Sequence, residues 1–247
     1  LLRRINIQNS EQLTTISINK NTNFISIGDS KGLLQVINFP QIESQTSPIS
    51  REESFTQKKN LFQPLNYHSN PIKIITWNTS FNKLTTVDKS GMLIVWKEIN
   101  GIFESEMVNN REQSSLKDVK WSKNGEQIIF IYDDGQLYCG LVNGSNSWYN
   151  NLEAQLSFVE FSPDDTKILV SEMCGKIYVF SDRGIQIAEM NLNDSLENSE
   201  IATLEWWSNV KKYKNRKISD TNEITVFCKE NNENDITYRK HLMIAFK

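Results

Sequence analysis

The stretch "KLTTVDKSGMLIVWK", residues 83–97, decides the fold of this chain. Two short apolar segments flank the polar turn "DKSG", which predicts a β-hairpin. Gly91 ends that turn and supports the prediction, because a tight hairpin needs a residue that adopts positive φ at low cost. One hairpin occurs in many all-β folds, so the decisive question is whether the unit repeats.

The unit does repeat along the chain. Three segments align: "PIKIITWNTSFNKLTTVDKSGMLIVWKEI", "SLKDVKWSKNGEQIIFIYDDGQLYCGLVN" and "QLSFVEFSPDDTKILVSEMCGKIYVFSDR". The aromatic residue after the first strand recurs at spacings of 44, 40 and 45 residues, as Trp77, Trp121, Phe161 and Trp206. The turn glycine recurs as Gly91, Gly135 and Gly175, and a weaker copy before them has Gly32 and Ile18 in the equivalent places. A period of roughly 40–45 residues is typical of propeller blades.

Each unit predicts four strands. The inner strands, such as "IIFIY" and "KILVS", are almost continuously apolar, as expected where neighbouring sheets cover both faces. The fourth strands are predicted at "GIFESEMV", "SWYNNL" and "IQIAEMNL". We therefore predict an all-β propeller with four full blades and part of a fifth. Because such rings close with about four to eight blades, we expect residues 1–247 to be the N-terminal portion of a longer propeller.

Two segments interrupt the period. Residues 40–59, "PQIESQTSPISREESFTQKK", are polar and contain two prolines, which predicts a mobile insertion after the first unit's third strand. Residues 211–222, "KKYKNRKISDTN", interrupt the fifth unit, and "EITVFCKE" after them is interpreted as an added strand.

Composition excludes several functional classes. The net charge of the 247-residue chain is −3, so no overall positive field favours nucleic acid as a partner. Three isolated cysteines, Cys139, Cys174 and Cys228, indicate a reducing compartment. No run of about 18 apolar residues is present, so we expect a soluble or peripheral protein.

Catalytic and metal-binding motifs are missing from the sequence. The two histidines, His68 and His241, have no cysteine or histidine at metal-ligand spacing. The acidic pairs in "YDDG" and "SPDD" fall at predicted turns, where aspartate accepts local backbone hydrogen bonds. We therefore expect no enzyme activity, no cofactor and no metal, with an enzyme built on a propeller as the least favoured alternative.

A basic cluster in the second insertion is the sharpest local feature. It consists of Lys211, Lys212, Tyr213, Lys214, Arg216 and Lys217. A solvated loop is the first interpretation. The alternative is docking to an acidic partner or to anionic lipid, which attracts basic residues near its surface at about 1 kcal/mol each.

These repeats resemble WD-repeat propellers, with "NYHS" in place of that family's Gly-His and "VWK" in place of Trp-Asp. The family resemblance implies a hydrogen-bonded network inside the blade, for which His68, Thr86 and Trp96 are available. Ser90 stands where the turn acid of that network usually lies, and Asp88 stands two positions earlier. We therefore expect the network to be incomplete.

A closer resemblance covers about two thirds of the chain. The stretches "KLTTVDKSGMLIVW", "EMVNNR" and "GLVNGSNSW" are similar to the N-terminal propellers of a WD-repeat subunit family of the intraflagellar transport A complex. Tubby-like proteins carry a related propeller. The polar insertion followed by "LFQPLNYHS" favours the transport family.

The resemblance implies a scaffold rather than an enzyme. Its members belong to a multiprotein train that performs retrograde transport in the cilium and brings membrane-protein cargo into it, which implies localisation at the cilium, the basal body and in the cytoplasm. The tubby-like relatives imply a different function, that of a substrate receptor for a ubiquitin ligase. Partner proteins are therefore expected in both cases.

Overall fold

The computed structural model describes residues 11–38, 62–111, 114–191, 199–209, 212–213, 216–217, 221–232 and 235–246. The chain divides into two compact units, Leu1–Gln113 and Ser114–Lys247. All regular elements of the described residues are β-strands. No helix in these parts of the chain has the length and apolar character needed to span a membrane.

Unit 1 contains two four-stranded antiparallel sheets. Sheet 1 has the order β1-β2-β3-β4, with β1 Leu13–Ile18, β2 Phe24–Asp29, β3 Leu34–Asn38 and β4 Phe62–Leu65. Sheet 2 has the order β5-β6-β7-β8, with β5 Ile72–Asn78, β6 Lys83–Asp88, β7 Leu93–Ile99 and β8 Ile102–Asn109. The fourth strand of sheet 1 follows the predicted insertion 40–59, which lies outside the described residues.

Unit 2 contains two further four-stranded antiparallel sheets and a three-stranded one. Sheet 3 is formed by β9 Leu116–Trp121, β10 Gln127–Tyr132, β11 Gln136–Leu141 and β12 Asn146–Asn151. Sheet 4 is formed by β13 Leu156–Phe161, β14 Lys167–Glu172, β15 Lys176–Ser181 and β16 Gln186–Asn191. The fifth sheet contains β17 Ser199–Asn209, β20 Thr221–Asn232 and β21 Asp235–Phe246. The short strands β18 Lys212–Tyr213 and β19 Arg216–Lys217 lie between β17 and β20.

The sequence repeat corresponds to a repeat of strand register. The landmark aromatic of each of sheets 2, 3 and 4 pairs with the residue seven positions later: Trp77 with Leu84, Trp121 with Ile128 and Phe161 with Ile168. Ile18 pairs with Ile25 in the same way in sheet 1. Equivalent residues therefore occupy equivalent places, and the prediction of repeated four-stranded blades is confirmed.

A β-bulge recurs in the first strand of every sheet. The residue that the register skips lies four positions before the landmark: Thr14, Lys73, Lys117, Ser157 and Ala202. A bulge bends its strand and increases the local twist. The amino-acid sequence does not predict these bulges, because the bulged residue has a different chemical character in each copy.

The fifth sheet corrects the interpretation of the second insertion. Trp206 pairs with Ile224, 18 residues later, so the first hairpin of this sheet is 11 residues longer than in the other sheets. The pairing of β17 with β20 continues to Asn209 and Thr221, and Lys212 pairs with Lys217 in the separate two-stranded sheet β18-β19. "EITVFCKE" lies within β20, the second strand of the sheet, and is not an added strand.

The cores lie between successive sheets of one unit. In unit 1, Leu34 and Val36 of sheet 1 pack in one cluster with Ile75, Leu84 and Trp96 of sheet 2. In unit 2, one cluster joins sheets 3 and 4, and another joins sheet 4 to the fifth sheet. Each buried aliphatic or aromatic side chain stabilises the fold by about 1.5–3 kcal/mol, so the stacking of sheets supplies the main stabilising term.

The glycine of the second hairpin turn provides a test of this geometry. Gly135 has φ +89°, and a Cβ at this position would lie 2.8 Å from the Ala154 nitrogen and 2.9 Å from its carbonyl oxygen. Gly144 in the same sheet has φ +87° but has no atom within 4 Å of an added Cβ. The two positions share the backbone strain and differ in the space around them.

We expect Gly144→Ala to lower the free energy of unfolding by about 1–2 kcal/mol, the cost of left-handed backbone for an L-residue. Gly135→Ala should cost clearly more, because backbone atoms must also move. Urea unfolding of both variants measures the difference. Equal losses would contradict the close approach of the turn to the Glu153–Ala154 segment.

Candidate functional site

The residues predicted for the blade network lie together in sheet 2. The Nε1 of Trp96 donates to the hydroxyl of Thr86 at 2.9 Å, and the His68 Nε2 lies 2.8 Å from the same hydroxyl. The His68 Nδ1 lies 3.1 Å from the Oδ2 of Asp88. We refer to His68, Thr86, Asp88 and Trp96 as the blade network. The side chains of His68 and Asp88 are fully buried.

The expectation of an incomplete network is wrong, because Asp88 completes it. Asp88 ends β6, and its Oδ2 turns inward to His68 while its Oδ1 accepts hydrogen bonds from the backbone N–H groups of Ser90 and Met92. Ser90 is exposed and donates its hydroxyl to Asp88 at 2.5 Å. Asp88 therefore forms hydrogen bonds both to the turn backbone and to His68, although it does not stand at the usual position of the turn acid.

The hydrogen-bond directions in the network follow from the protonation state of His68. Burial lowers the pKa of His68, against the opposing influence of Asp88, so the imidazole is neutral at pH 7. The consistent arrangement has Nδ1–H donating to Asp88 and Nε2 accepting from the Thr86 hydroxyl, which in turn accepts from Trp96. Each polar group of this buried network thus has a partner.

The network has the hydroxyl–imidazole–carboxylate order of a hydrolase triad, but it has no access to substrate. Thr86 and Trp96 are 0% exposed, and the Trp96 indole N–H already donates to the Thr86 hydroxyl oxygen. A nucleophile must reach the reacting carbon of its substrate, and here no substrate atom can approach. The arrangement therefore stabilises the blade.

The described cysteines differ in exposure, and the described residues hold no metal-binding cluster. Cys139 is buried, and burial raises the pKa of its thiol to about 12, which keeps it protonated and unreactive. Cys174 is exposed in the turn between β14 and β15. The described residues contain no group of three His, Cys, Asp or Glu side chains placed to hold a metal ion.

The basic cluster is located only in part. The backbones of Lys212 and Tyr213 pair with those of Lys217 and Arg216, so these four residues are in β-structure. Lys211 and Lys214 lie outside the described residues. Contact of the basic cluster with an acidic partner or with lipid stays a prediction.

Polar side chains join the sheets of unit 1 at their edges. The side chain of Gln63 in β4 donates to the Phe103 carbonyl at 3.0 Å and accepts from the Phe103 N–H at 2.8 Å. The Gln63 amide thereby forms with β8 the pair of hydrogen bonds that a neighbouring strand would form. At the first hairpins, Asn19 donates to the Asn82 side chain at 3.1 Å. These contacts hold neighbouring blades at a defined spacing.

Unit 2 contains an aromatic cleft, a feature that the sequence analysis did not anticipate as a site. The cleft has a volume of about 340 Å³, and its walls include Trp121, Phe161 and Trp206, the landmark residues of three successive sheets. Lys123, Glu160 and Asp165 also line it. The Asp165 carboxylate accepts the backbone N–H groups of Lys123 at 2.7 Å and Asn124 at 2.8 Å, which joins the first hairpins of sheets 3 and 4.

A half-buried aspartate lies between the same two sheets. Asp118 in β9 accepts the backbone N–H of Val119 at 2.9 Å and that of Val159 in β13 at 3.2 Å. Burial raises the pKa of Asp118 to about 6, against the opposing charge of Lys120. Lys120 itself forms an ion pair with Glu160 at 2.8 Å. The sequence contains one signal for this site. The positions equivalent to Asp118 are apolar, Ile74 in sheet 2 and Phe158 in sheet 4, so an acid is unexpected there.

Comparison with known proteins assigns the fold and its relatives. A family model described as "WDR35/TULP4 N-terminal" matches residues 1–244. The rat WD repeat-containing protein 35 is 33% identical over 219 residues, which cover 86% of this chain and 18% of the relative. The human Tubby-related protein 4 is 29% identical over 174 residues, covering 70% of this chain and 11% of the relative. The chain thus spans less than a fifth of the length of these relatives.

A solved structure supports the same fold. One chain of the crystal structure of the mitotic checkpoint complex superposes with a TM-score of 0.62 at 13% identity, covering 92% of this chain and 66% of that chain. Together with the family match, it confirms the predicted all-β WD-repeat propeller. The predicted resemblance to WD repeat-containing protein 35, with the tubby-related proteins second, is also confirmed.

Removal of the Thr86 hydroxyl tests the blade network. Thr86→Val leaves the Trp96 N–H and the His68 Nε2 buried without partners, each at a cost of about 1–3 kcal/mol. We therefore expect a loss of about 2–5 kcal/mol in the free energy of unfolding, measured by urea denaturation. Thr86→Ser keeps the hydroxyl and is the matched control. A valine variant no less stable than the serine variant would argue against the network.

The pH dependence of stability tests the buried state of Asp118. Because its folded pKa of about 6 exceeds the ordinary aspartate pKa of 3.8, its protonation stabilises the fold fully below pH 3.8, and this stability is lost as the pH rises through about 6. Relative to Asp118→Asn, the native chain should gain about 2 kcal/mol between about pH 7.5 and about pH 4.5.

The matched control is Glu126→Gln, at an exposed acid in the first hairpin turn of sheet 3. Urea unfolding across the pH range should show the same pH profile for this variant and the native chain. If the Asp118→Asn profile also parallels that of the native chain, Asp118 is not buried in the way the structure places it.

Proposed function

This chain belongs to the WDR35/TULP4 N-terminal propeller family, and on that premise we propose that it is part of a non-catalytic scaffold subunit of the intraflagellar transport A complex. The observation that carries the proposal is the relationship to WD repeat-containing protein 35, which is longer and higher in identity than that to Tubby-related protein 4. In this role the chain serves retrograde ciliary transport and the entry of membrane-protein cargo.

The physical properties of the blades support a scaffold. Apolar clusters hold neighbouring sheets face to face, while the hairpin turns project from the ends of each sheet. Loops on a rigid frame can vary for binding without disturbing the core. The one hydroxyl–imidazole–carboxylate arrangement among the described side chains is sealed in the interior of sheet 2.

The proposal places the protein at the cilium, the basal body and in the cytoplasm. Its partners are the other subunits of the transport complex, and nucleic acid is not among them. The basic cluster is the proposed contact for membrane-protein cargo or anionic lipid, because its bases are concentrated within seven residues of sequence while the whole chain is weakly acidic. Residues 1–247 act as the N-terminal portion of the propeller in this scheme.

The second candidate function is a substrate receptor of a ubiquitin ligase. It is favoured by the similarity to Tubby-related protein 4, which extends over most of the chain. The two functions differ in their stable partners, which are transport subunits in one case and ligase subunits in the other.

Affinity purification from extracts of ciliated cells, with the 247-residue chain as tagged bait and quantitative mass spectrometry as the measurement, separates the two functions. We expect enrichment of intraflagellar transport A subunits over ligase subunits. Enrichment of ligase subunits alone would overturn the transport function in favour of the alternative. A bait that retains neither set contradicts both.

Charge reversal tests the basic cluster within the same experiment. Reversing Lys212, Arg216 and Lys217 to glutamate should reduce binding to vesicles containing phosphatidylserine, or the recovery of transport subunits. The matched control reverses Lys20, Lys89 and Lys97, three exposed bases of unit 1. If both triple variants bind like the native chain, the basic cluster is only a solvated segment without a binding role.

A further inference from the structure

Three hairpin turns of the chain contain the dipeptide Asn-Gly, at Asn100, Asn124 and Asn143. Asparagine followed by glycine is prone to spontaneous deamidation, because glycine has no side chain to hinder the attack of its backbone nitrogen on the preceding amide. All three asparagines are exposed to solvent. The sequence therefore gives the three turns the same chemistry, and only their hydrogen bonds distinguish them.

The side chains of Asn124 and Asn143 are held by their own turns. The Asn124 Oδ1 accepts the backbone N–H of Glu126 at 2.9 Å and the hydroxyl of Ser122 at 2.7 Å. The Asn143 Oδ1 accepts the backbone N–H of Ser145 at 3.0 Å and its hydroxyl at 2.7 Å. In both turns the glycine N–H donates to a backbone carbonyl at 2.9 Å. Both reacting groups are thus engaged in the hydrogen bonds of the turn.

Asn100 differs in both respects. It lies with φ +53° in the two-residue turn between β7 and β8, and its side chain forms no hydrogen bond with the part of the chain that the structure describes. The Gly101 N–H donates to the Oε1 of Glu98 at 2.6 Å, and the Asn82 amide holds the other carboxylate oxygen at 2.9 Å. A Cβ added at Gly101 would meet no atom within 4 Å, so the turn has room to rotate.

We propose that Asn100 is a site of deamidation, with the Glu98 carboxylate acting as the base on the Gly101 nitrogen. Glu98 takes the proton of the Gly101 N–H while this nitrogen forms a bond to the Cγ of Asn100. The bond from Cγ to Nδ2 then breaks, and ammonia leaves with the proton that Glu98 accepted. Water hydrolyses the resulting five-membered imide at either carbonyl, which leaves aspartate or isoaspartate at position 100.

The modification acts at the edge where sheets 1 and 2 meet. It adds a carboxylate close to Glu98, and like charges at short range repel. Isoaspartate also lengthens the backbone of a turn whose flanking residues, Ile99 and Ile102, pair with each other. The next residue, Phe103, is bonded through its N–H and its carbonyl to Gln63 of sheet 1. Deamidation therefore loosens the contact between these blades as the chain ages, whichever assembly the chain joins.

The test incubates the whole 247-residue chain at neutral pH and follows the conversion of each asparagine to the acid by peptide mapping with mass spectrometry. Asn124 and Asn143 are the internal controls. In the folded chain we expect Asn100 to convert about tenfold faster than either, because their hydrogen bonds must break before the imide forms. In concentrated urea, where the turns are lost, the three rates should converge.

Two variants test the base. Glu98→Gln should slow the conversion of Asn100 by about three- to tenfold, less than the about 10²–10⁴-fold that positioned bases contribute in enzymes, because Glu98 is partly exposed. Glu104→Gln, at an exposed acid of β8, is the matched control and should leave the rate unchanged. Rates are compared equally far below each variant's melting temperature. Conversion of Asn124 or Asn143 as fast as that of Asn100 in the folded chain would overturn the site, and an undiminished rate in Glu98→Gln would overturn the role of Glu98.

Discussion

The structure depends on one constraint: the inner strands of each sheet are apolar on both faces, so each sheet needs a neighbour on both sides. Leu84 and Leu169 are 0% exposed because sheets of the same unit pack against them. Ile16 shows the opposite case. It is 63% exposed, whereas its equivalents Ile75 and Val159 lie in the clusters between sheets. A blade is therefore not a stable object by itself, and repetition is a physical requirement.

Apolar packing alone would leave the relative positions of neighbouring blades adjustable. Polar interactions fix those positions. The blade network ties the segment that enters sheet 2, through His68, to the second and third strands of that sheet. Gln63 joins outer strands in unit 1, and Asp118 joins inner strands in unit 2. Because each of these groups is matched to one partner geometry, a shift of one blade would leave a buried donor or acceptor unpaired.

The candidate sites differ in how far the sequence could predict them. His68, Thr86 and Trp96 were predictable as a set because the WD-repeat resemblance implies such a network and these residues match its positions. The role of Asp88 was not, since the direction of a turn carboxylate depends on where the buried imidazole lies. The basic cluster was visible in the composition, but the pairing of Lys212 with Lys217 depends on how the chain folds between β17 and β20.

The sequence by itself determined the repeat, the strand boundaries to within about two residues, the turn glycines and the family. These features are encoded in alternation and turn chemistry within segments of one blade or less. Only the tertiary structure decided that Asp118 binds the Val159 N–H, and that three landmark aromatics line a cleft in unit 2 while Trp77 is covered in unit 1. Such contacts join residues about one blade apart in sequence. Their distances depend on how the sheets pack, and the repeat period of the sequence carries no information about that packing.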